Sequence, residues 1–233
     1  MKAADPNLAK VELVAAALGP LTEQLVFVGG CAAGLLITDA AAAPVRVTYD
    51  VDLTAEVAAL SDYHRLESQL AARGFQRDMS KEAPICRWRL ERLEVDLMPT
   101  DPRILGFANR WYPLVVRTAT PTSLPSGRVI RVITAPAFIA TKFEAFADRG
   151  RGDVLGSHDL EDIFNVLDGR PQLLAEVEQV EPELRGYLAE RFRALLETPH
   201  FLDYLPGLIA PDESLGERVA ELTQRLHRLR ALA

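Results

Sequence analysis

A stretch in which apolar and polar side chains alternate constrains the fold of this chain more than any other feature. Residues 45–53 read VRVTYDVDL, and such alternation is typical of a β-strand with one buried face. The predicted core face carries Val47, Tyr49, Val51 and Leu53, and the opposite face carries Thr48, Asp50 and Asp52. Because every second side chain of a strand emerges from the same face, about 6.5 Å apart, the sequence predicts that Asp50 and Asp52 present neighbouring carboxylates.

Another strand is predicted upstream, where a short apolar run stops at a pair of glycines. Residues 25–28 are Leu-Val-Phe-Val, Gly29 and Gly30 follow, and the small residues 31–34 lead into a predicted helix. Glycine lets backbone N–H groups approach a ligand closely, and the positive end of a helix favours an anion. We therefore expect Gly29 and Gly30 to bind the phosphate groups of a nucleotide.

A third aspartate lies in a later alternating segment. Residues 85–90 and 93–98 are predicted to be strands joined at Glu91-Arg92, although that dipeptide is not a favoured two-residue turn. Asp96 points away from the apolar side chains of the second strand. If that strand lies beside the strand of Asp50 and Asp52, the carboxylates can surround a pair of metal positions about 4 Å apart.

Carboxylates clustered near a core are costly unless a positive charge compensates them. A divalent cation bound by Asp50, Asp52 and Asp96 supplies that charge, and oxygen ligands favour Mg²⁺, or Mn²⁺, over Zn²⁺. Such a site is suited to phosphoryl chemistry on a nucleoside triphosphate.

The pattern changes from strands to helices near residue 134. Downstream, apolar residues recur at helical spacing around Phe138, Leu160 and Leu222. We predict an α/β (α+β) fold, with a small mixed sheet flanked by helices over residues 1–133. A helical region over residues 134–233 is expected to complete the active-site cleft.

Charge and composition restrict the partners and the compartment. The net charge of −7 disfavours a broad nucleic-acid footprint and leaves room for a local basic patch. Cys31 and Cys86 show no metal-ligand spacing, so we expect reduced thiols. The sequence shows neither a secretory signal nor an apolar stretch long enough for a membrane span, so we expect a cytoplasmic protein with no membrane partner.

The order of these features resembles the polymerase-beta type nucleotidyltransferase superfamily. In that superfamily a Gly-Gly or Gly-Ser turn precedes a strand with paired carboxylates, and a third carboxylate follows on a later strand. The downstream segments FIATKFEAF (138–146), RGR (149–151) and SHDLEDI (157–163) look like the later motifs of AbiEii-like and MenT-like nucleotidyltransferase toxins. The similarity covers residues 25–170.

This resemblance implies a role for each aspartate of the strands. Asp50 and Asp52 would bind two Mg²⁺ ions, and Asp96 would bind one of them and help to deprotonate the attacking hydroxyl. By its position in the motif Cys31 would also bind the nucleotide, but it stands where the family usually has serine or threonine. A thiol is a weaker hydrogen-bond donor than a hydroxyl, so the contact would come from the backbone amide.

The resemblance also implies catalytic residues in the helical region. Lys142, beside a cleft and with little part in packing, would contact the triphosphate and offset the charge of the leaving group. Asp162, or alternatively Asp159, would be the carboxylate of the later helix. Without the resemblance, the favoured interpretation of Lys142 is a solvated helix residue or a partner of Glu144 or Asp162.

The arginines near these motifs allow two interpretations each. Arg87 and Arg89 alternate on the strand before Asp96 and either bind substrate phosphates or pair with acids. Arg149 and Arg151 either contact a nucleotide or polynucleotide or lie in a solvated loop.

The resulting hypothesis is an enzyme that transfers a nucleoside monophosphate from a nucleoside triphosphate to an acceptor hydroxyl. The resemblance implies a tRNA 3′ end as acceptor and an antitoxin protein as partner, as in a toxin–antitoxin system. A small molecule or a protein side chain is the alternative acceptor. A degenerate nucleotide-binding module without turnover is the hypothesis from another class.

Overall fold

The structure is a computed structural model that describes residues 5–57, 59–149 and 153–232. The chain divides into two compact units. The sheet unit comprises Asp5–Gly34 and Arg46–Thr134, and the helical unit comprises Leu35–Val45 with the described residues from Ala135 onward. The mixed sheet and the helical C-terminal part confirm the predicted fold class. The division into domains at residues 133 and 134 stays a prediction.

One mixed sheet forms the sheet unit, and its order is β3-β4-β5-β2-β1-β7-β6. Its strands are β1 (Val26–Val28), β2 (Asp50–Ala55), β3 (Gln76–Arg77), β4 (Arg87–Leu90), β5 (Leu93–Pro99), β6 (Thr120–Ser123) and β7 (Val129–Val132). The pairs β2–β5 and β1–β7 are parallel, and the other neighbours are antiparallel.

Most helices of the sheet unit lie between its strands in the sequence. They are α1 (Leu8–Leu18), α2 (Gly29–Leu36, which continues past Gly34 into the helical unit), α3 (Leu60–Ala71), α4 (Pro102–Leu105) and α5 (Tyr112–Thr118). Parallel strands need a crossover connection, and α3 supplies it between β2 and β5. The buried Tyr63 hydroxyl of α3 donates a hydrogen bond to the Leu97 carbonyl of β5 over 2.9 Å.

The first strand and the helix after it match the prediction from the apolar run and the glycines. Val26, Phe27 and Val28 are all buried, because β1 lies inside the sheet between β2 and β7. α2 begins directly at Gly29.

The predicted alternation of residues 45–53 is correct only from Asp50 onward. Val51 and Leu53 are fully buried in β2, whereas Val47 and Tyr49 are exposed and Thr48 is buried. The reason is that this segment precedes the sheet and contacts α1 and its N-cap. Asn7 accepts hydrogen bonds from the Thr48 backbone and hydroxyl, and Lys10 donates to the Thr48 carbonyl. Val47 and Tyr49 therefore point away from the core, contrary to the prediction.

The helical unit has a core of its own. Its helices are α6 (Ala135–Arg149), α7 (His158–Gly169), α8 (Leu173–Gln179), α9 (Pro182–Glu197), α10 (Phe201–Tyr204) and α11 (Leu215–Leu229). Phe143 of α6 meets Phe192 of α9 edge to face, with ring centroids 5.1 Å apart. α11 contributes Leu222, Leu226 and Leu229 to the core, since all three are buried. Within the described part of the chain, none of the helices combines the length and apolar character that a membrane span requires.

Candidate functional site

The register of four neighbouring strands places the predicted acidic residues in rows across the sheet. Asp52 of β2 lies beside Asp96 of β5, and Asp96 lies opposite Arg87 of β4. On the other side, Asp52 is paired with Val28, the last residue of β1 before Gly29. Side chains at one register position of adjacent strands share a face. The row therefore joins the aspartates to the glycine turn.

Asp50, Asp52 and Asp96 form one carboxylate cluster, which we call the aspartate cluster. Each contributes an oxygen, and these oxygens lie within 4.8 Å of one another. Asp96 is 7% exposed, while Asp50 and Asp52 are partly exposed at the edge of the cluster. The donor set consists of oxygen alone, which fits Mg²⁺ or Mn²⁺ and not a thiolate metal. A divalent cation here would also relieve the repulsion among the carboxylates.

Arg87 supplies positive charge to this cluster within the protein itself. Its guanidinium forms a two-bond contact with Asp96, Nε to Oδ1 and Nη2 to Oδ2, each over 2.8 Å. Nη2 also lies 3.5 Å from Asp50 Oδ2, and Nη1 donates to Glu94 Oε2 over 2.5 Å. The hydrogen bonds to Asp96 raise the pKa of Arg87 above its ordinary value. Of the two interpretations of Arg87, pairing with acids is therefore the one observed.

Gly29 is required by the position of Asp52. Its backbone φ is +65°, which residues other than glycine rarely adopt, and an added Cβ would lie 1.7 Å from Asp52 Oδ2. The glycine thus lets the carboxylate lie directly against the start of α2. The sequence predicted a glycine for close approach of a phosphate, and the structure adds a close approach by the protein's own carboxylate.

Gly30 and Cys31 are both buried in the first turn of α2. The Cys31 thiol is 0% exposed and donates to the Val28 carbonyl over 3.2 Å. A phosphate contact at this turn would accordingly use backbone N–H groups, which the start of a helix leaves available for an anion.

Lys142 lies in the helical unit, held by two carboxylates of α7. Its Nζ is 2.6 Å from Asp162 Oδ2 and 3.2 Å from Asp159 Oδ1. Lys142 is 6% exposed, so the expectation that it has little part in packing is wrong. Both candidate carboxylates of the later helix contact it, and Asp162 is the nearer.

Arg149 adds a second cation to this group, which we call the Lys142 cluster and which comprises Lys142, Arg149, Asp159 and Asp162. Arg149 donates to both oxygens of Asp159, over 2.8 and 2.9 Å. Burial by itself raises the pKa of Asp159, but the hydrogen bonds from Arg149 and the charge of Lys142 outweigh it, so the pKa is lowered. Arg149 ends α6, and Arg151 lies outside the described residues.

The predicted site residues thus fall into two groups. Asp50, Asp52 and Asp96 are brought together beside Gly29 in the sheet unit, and Lys142 and Asp162 are brought together in the helical unit. The sequence prediction missed Glu94 and the pairing of Arg149 with Asp159. Glu94 could have been found from the hairpin register, which places it opposite Arg89 and one step from Arg87 on the same face.

Comparisons with known proteins add a distant structural likeness. No family model matches the chain, and no curated protein matches it. Among solved structures, the crystal structure of JHP933 from Helicobacter pylori is similar, with 14% sequence identity and a TM-score of 0.46. The alignment covers 97% of this chain and 92% of that chain. A likeness at this level assigns no activity.

Proposed function

We propose that this protein is a Mg²⁺- or Mn²⁺-dependent nucleotidyltransferase. The observation that carries the proposal is the convergence of Asp50, Asp52 and Asp96 on one face, directly beside the glycine turn that begins α2. A carboxylate cluster next to the N–H groups of a helix start suits a ligand with metal and phosphate parts. The resemblance of the motifs to AbiEii-like and MenT-like nucleotidyltransferases supports the same activity.

The reaction follows from the roles of these residues. Asp50, Asp52 and Asp96 would hold the metal, which supplies Lewis-acid stabilisation of the phosphate charge when it is bound. The acceptor hydroxyl oxygen forms a bond to the α-phosphorus of the nucleotide, and the bond between that phosphorus and the oxygen of pyrophosphate breaks. The hydroxyl proton passes to a carboxylate, for which we propose Asp96. The start of α2 would orient the phosphates through its backbone N–H groups.

The acceptor and the partner are proposed from the resemblance alone. It favours a tRNA 3′ end as the acceptor and an antitoxin protein as the partner. It also assigns Lys142 a contact with the triphosphate, and assigns Asp162 to the same machinery.

A structural ion network without turnover is the second candidate. The contacts of Arg87 with Asp96, Glu94 and Asp50 favour it, since a cation already compensates the cluster. In that case the protein neither binds the metal nor transfers a nucleotide.

Labelled nucleotide transfer separates the two candidates. The protein is incubated with Mg²⁺, each α-labelled nucleoside triphosphate in turn, and total RNA. We expect label in RNA of tRNA size, and we expect Asp52→Asn and Asp96→Asn to abolish it. Asp203→Asn is the matched control, since Asp203 is a largely exposed aspartate paired only with His200 among the described contacts.

Thermal melts with Mg²⁺ and a nonhydrolysable triphosphate complete the test. At about 100 times the dissociation constant, binding contributes about 2.7 kcal/mol to stability. For a chain of this size that corresponds to a rise in Tm of about 5 to 10 °C. We expect the rise in the wild type and much less in Asp52→Asn. Equal melts with and without ligand, together with no labelled RNA, protein or small molecule, would reject the nucleotidyltransferase in favour of the ion network.

A further inference from the structure

We propose that Arg87 is a displaceable internal counter-ion that makes the aspartate cluster select a metal–polyphosphate complex over the free metal ion. This inference rests on the proposed function, because it assumes that Asp50, Asp52 and Asp96 bind a metal. It adds a role for Arg87, which lies on β4, a strand that contributes no ligand to the proposed metal site.

The guanidinium and a metal ion compete for the same oxygens. Both Asp96 oxygens accept from Arg87 over 2.8 Å, and Asp50 Oδ2 is 3.5 Å from the same Nη2. A metal coordinated by Asp96 and Asp50 would take these lone pairs and would also repel the guanidinium charge. Metal binding therefore requires Arg87 to release Asp96.

Release is costly when the guanidinium receives nothing in return. The side chains of Arg87 and Asp96 are only 18% and 10% exposed, so water cannot fully replace a charge-assisted, two-bond contact. A free metal ion offers the guanidinium no new acceptor. A polyphosphate bound to that metal does, because guanidinium groups bind phosphate oxygens in the same two-bond geometry as carboxylates.

Glu94 keeps the released guanidinium beside the site. It accepts from Arg87 Nη1 over 2.5 Å, and it is not a member of the aspartate cluster. With this anchor in place, Arg87 can exchange Asp96 for a phosphate without leaving the cluster. Arg87 is thus a positioning residue for the metal-free cluster and a binding residue for the phosphate.

Arg89 provides a matched comparison on the same strand. It also contacts Glu94, at 3.6 Å, but its main partner is Asp78, and its side chain is 46% exposed. No described contact links Arg89 to Asp50, Asp52 or Asp96. A substitution of Arg89 therefore removes a cation from the same strand but leaves the competition between Arg87 and the metal ion for the aspartate oxygens unchanged.

The test measures Mn²⁺ binding by electron paramagnetic resonance, first with Mn²⁺ alone and then with the preformed Mn²⁺–tripolyphosphate complex. We expect Arg87→Met to bind Mn²⁺ alone about tenfold or more tightly than the wild type, because the competitor is gone. We expect the same variant to bind the complex no more tightly than the wild type, because the phosphate contact is gone too. Arg89→Met should behave as the wild type with both ligands.

Two results overturn the inference while leaving the metal site intact. One is an Arg87→Met protein that binds Mn²⁺ alone with wild-type or weaker affinity. The other is an Arg87→Met protein whose affinity rises equally for Mn²⁺ alone and for the complex. Arg87 would then only obstruct metal binding and would have no contact with the phosphate. If Arg87→Met does not fold, Arg87→Lys replaces it in the test, because lysine keeps the positive charge but cannot form the two-bond contact. It should bind Mn²⁺ alone several-fold more tightly than the wild type, and wild-type affinity would overturn the inference.

Failure of the proposed function has a different signature. If Mn²⁺ binds neither the wild type nor any Arg87 variant, the cluster is not a metal site and both proposals fall. If Mn²⁺ binds and Asp52→Asn removes it from both backgrounds, the metal site stands, and the Arg87 comparison decides the inference alone.

Discussion

Gly29 couples the conformation of the turn to the position of Asp52. We expect Gly29→Ala to lower the free energy of unfolding by about 1 to 3 kcal/mol, because the methyl group meets the Asp52 carboxylate at a positive φ. The displaced carboxylate should also reduce the increase in the free energy of unfolding that Mn²⁺ produces. Urea unfolding with and without Mn²⁺ measures both effects.

Gly186→Ala is the control for this substitution. Gly186 lies within α9, and a Cβ there would meet nothing within 4 Å. Alanine should leave the protein as stable or stabilise it by up to about 1 kcal/mol. A Gly29→Ala protein with wild-type stability and a wild-type Mn²⁺ response would show that Asp52 need not lie against the turn.

Lys142 stabilises the helical unit through its ion pairs with Asp159 and Asp162. Lys142→Met keeps the apolar stem but leaves Asp159 and Asp162 without the buried ammonium, so we expect a loss of about 3 kcal/mol at pH 7. The folded pKa of Asp159 is lowered, so its stabilisation is present above the unfolded pKa of about 3.9. It is lost as the pH falls through the lower folded pKa.

The difference between Lys142→Met and the wild type should therefore shrink as the pH is lowered below about 4. Urea unfolding at a series of pH values measures this difference. The exposed Lys81 offers a control, since Lys81→Met should change stability by no more than about 0.5 kcal/mol at any of these pH values. A constant difference across the series would assign the loss to packing and not to the ion pairs.

At the level of elements, the hairpin of β4 and β5 sets the register of Arg87 and Asp96. Leu90 pairs with Leu93, so Glu91 and Arg92 form a two-residue turn. The sequence does not favour a tight turn here, and the structure forms it with Glu91 at a φ of 55°. The hairpin is thus held by its strands in spite of its turn residues.

Relieving this turn should stabilise the protein. Glu91→Gly removes the cost of the positive φ and adds chain entropy to the unfolded state, for a net gain of about 0.5 to 1 kcal/mol. Arg92→Gly is the counterpart, because φ is not positive at Arg92, and glycine there should lower stability by a similar amount. Thermal melts of the two variants compare them directly. A loss of stability in Glu91→Gly would mean that the Glu91 side chain contributes more than the backbone costs.

Elements with a strong local pattern could be predicted from the sequence. The strand before Gly29 is a run of buried apolar residues, and the strand of Asp50 and Asp52 and the second hairpin strand have buried apolar residues two positions apart, Val51 with Leu53 and Val95 with Leu97. β3, β6 and α4 went unpredicted because each is only two to four residues long and shows little periodicity. Residues 45–49 were misassigned because contacts with α1 and its N-cap override the local alternation.

At the scale of the whole molecule, the two units are not two consecutive stretches of the sequence, because each is built from separate segments of the chain. One boundary between the units lies between Thr134 and Ala135. Leu35–Val45 nevertheless belongs to the helical unit. Its backbone explains why, since the N–H groups of Thr38 and Asp39 donate to the Gly169 carbonyl. Such pairing across the sequence leaves no local pattern.

The sequence by itself identified the candidate site residues, because a carboxylate on the polar face of an alternating strand and a glycine after an apolar run are local properties. Only the tertiary structure decided which of them meet. The parallel pairing of β2 with β5 places Asp96 beside Asp52, and the antiparallel pairing of β4 places Arg87 within reach of both Asp96 and Asp50. Strand order and register arise from the packing of distant segments, and a shift of one residue would turn each side chain to the other face.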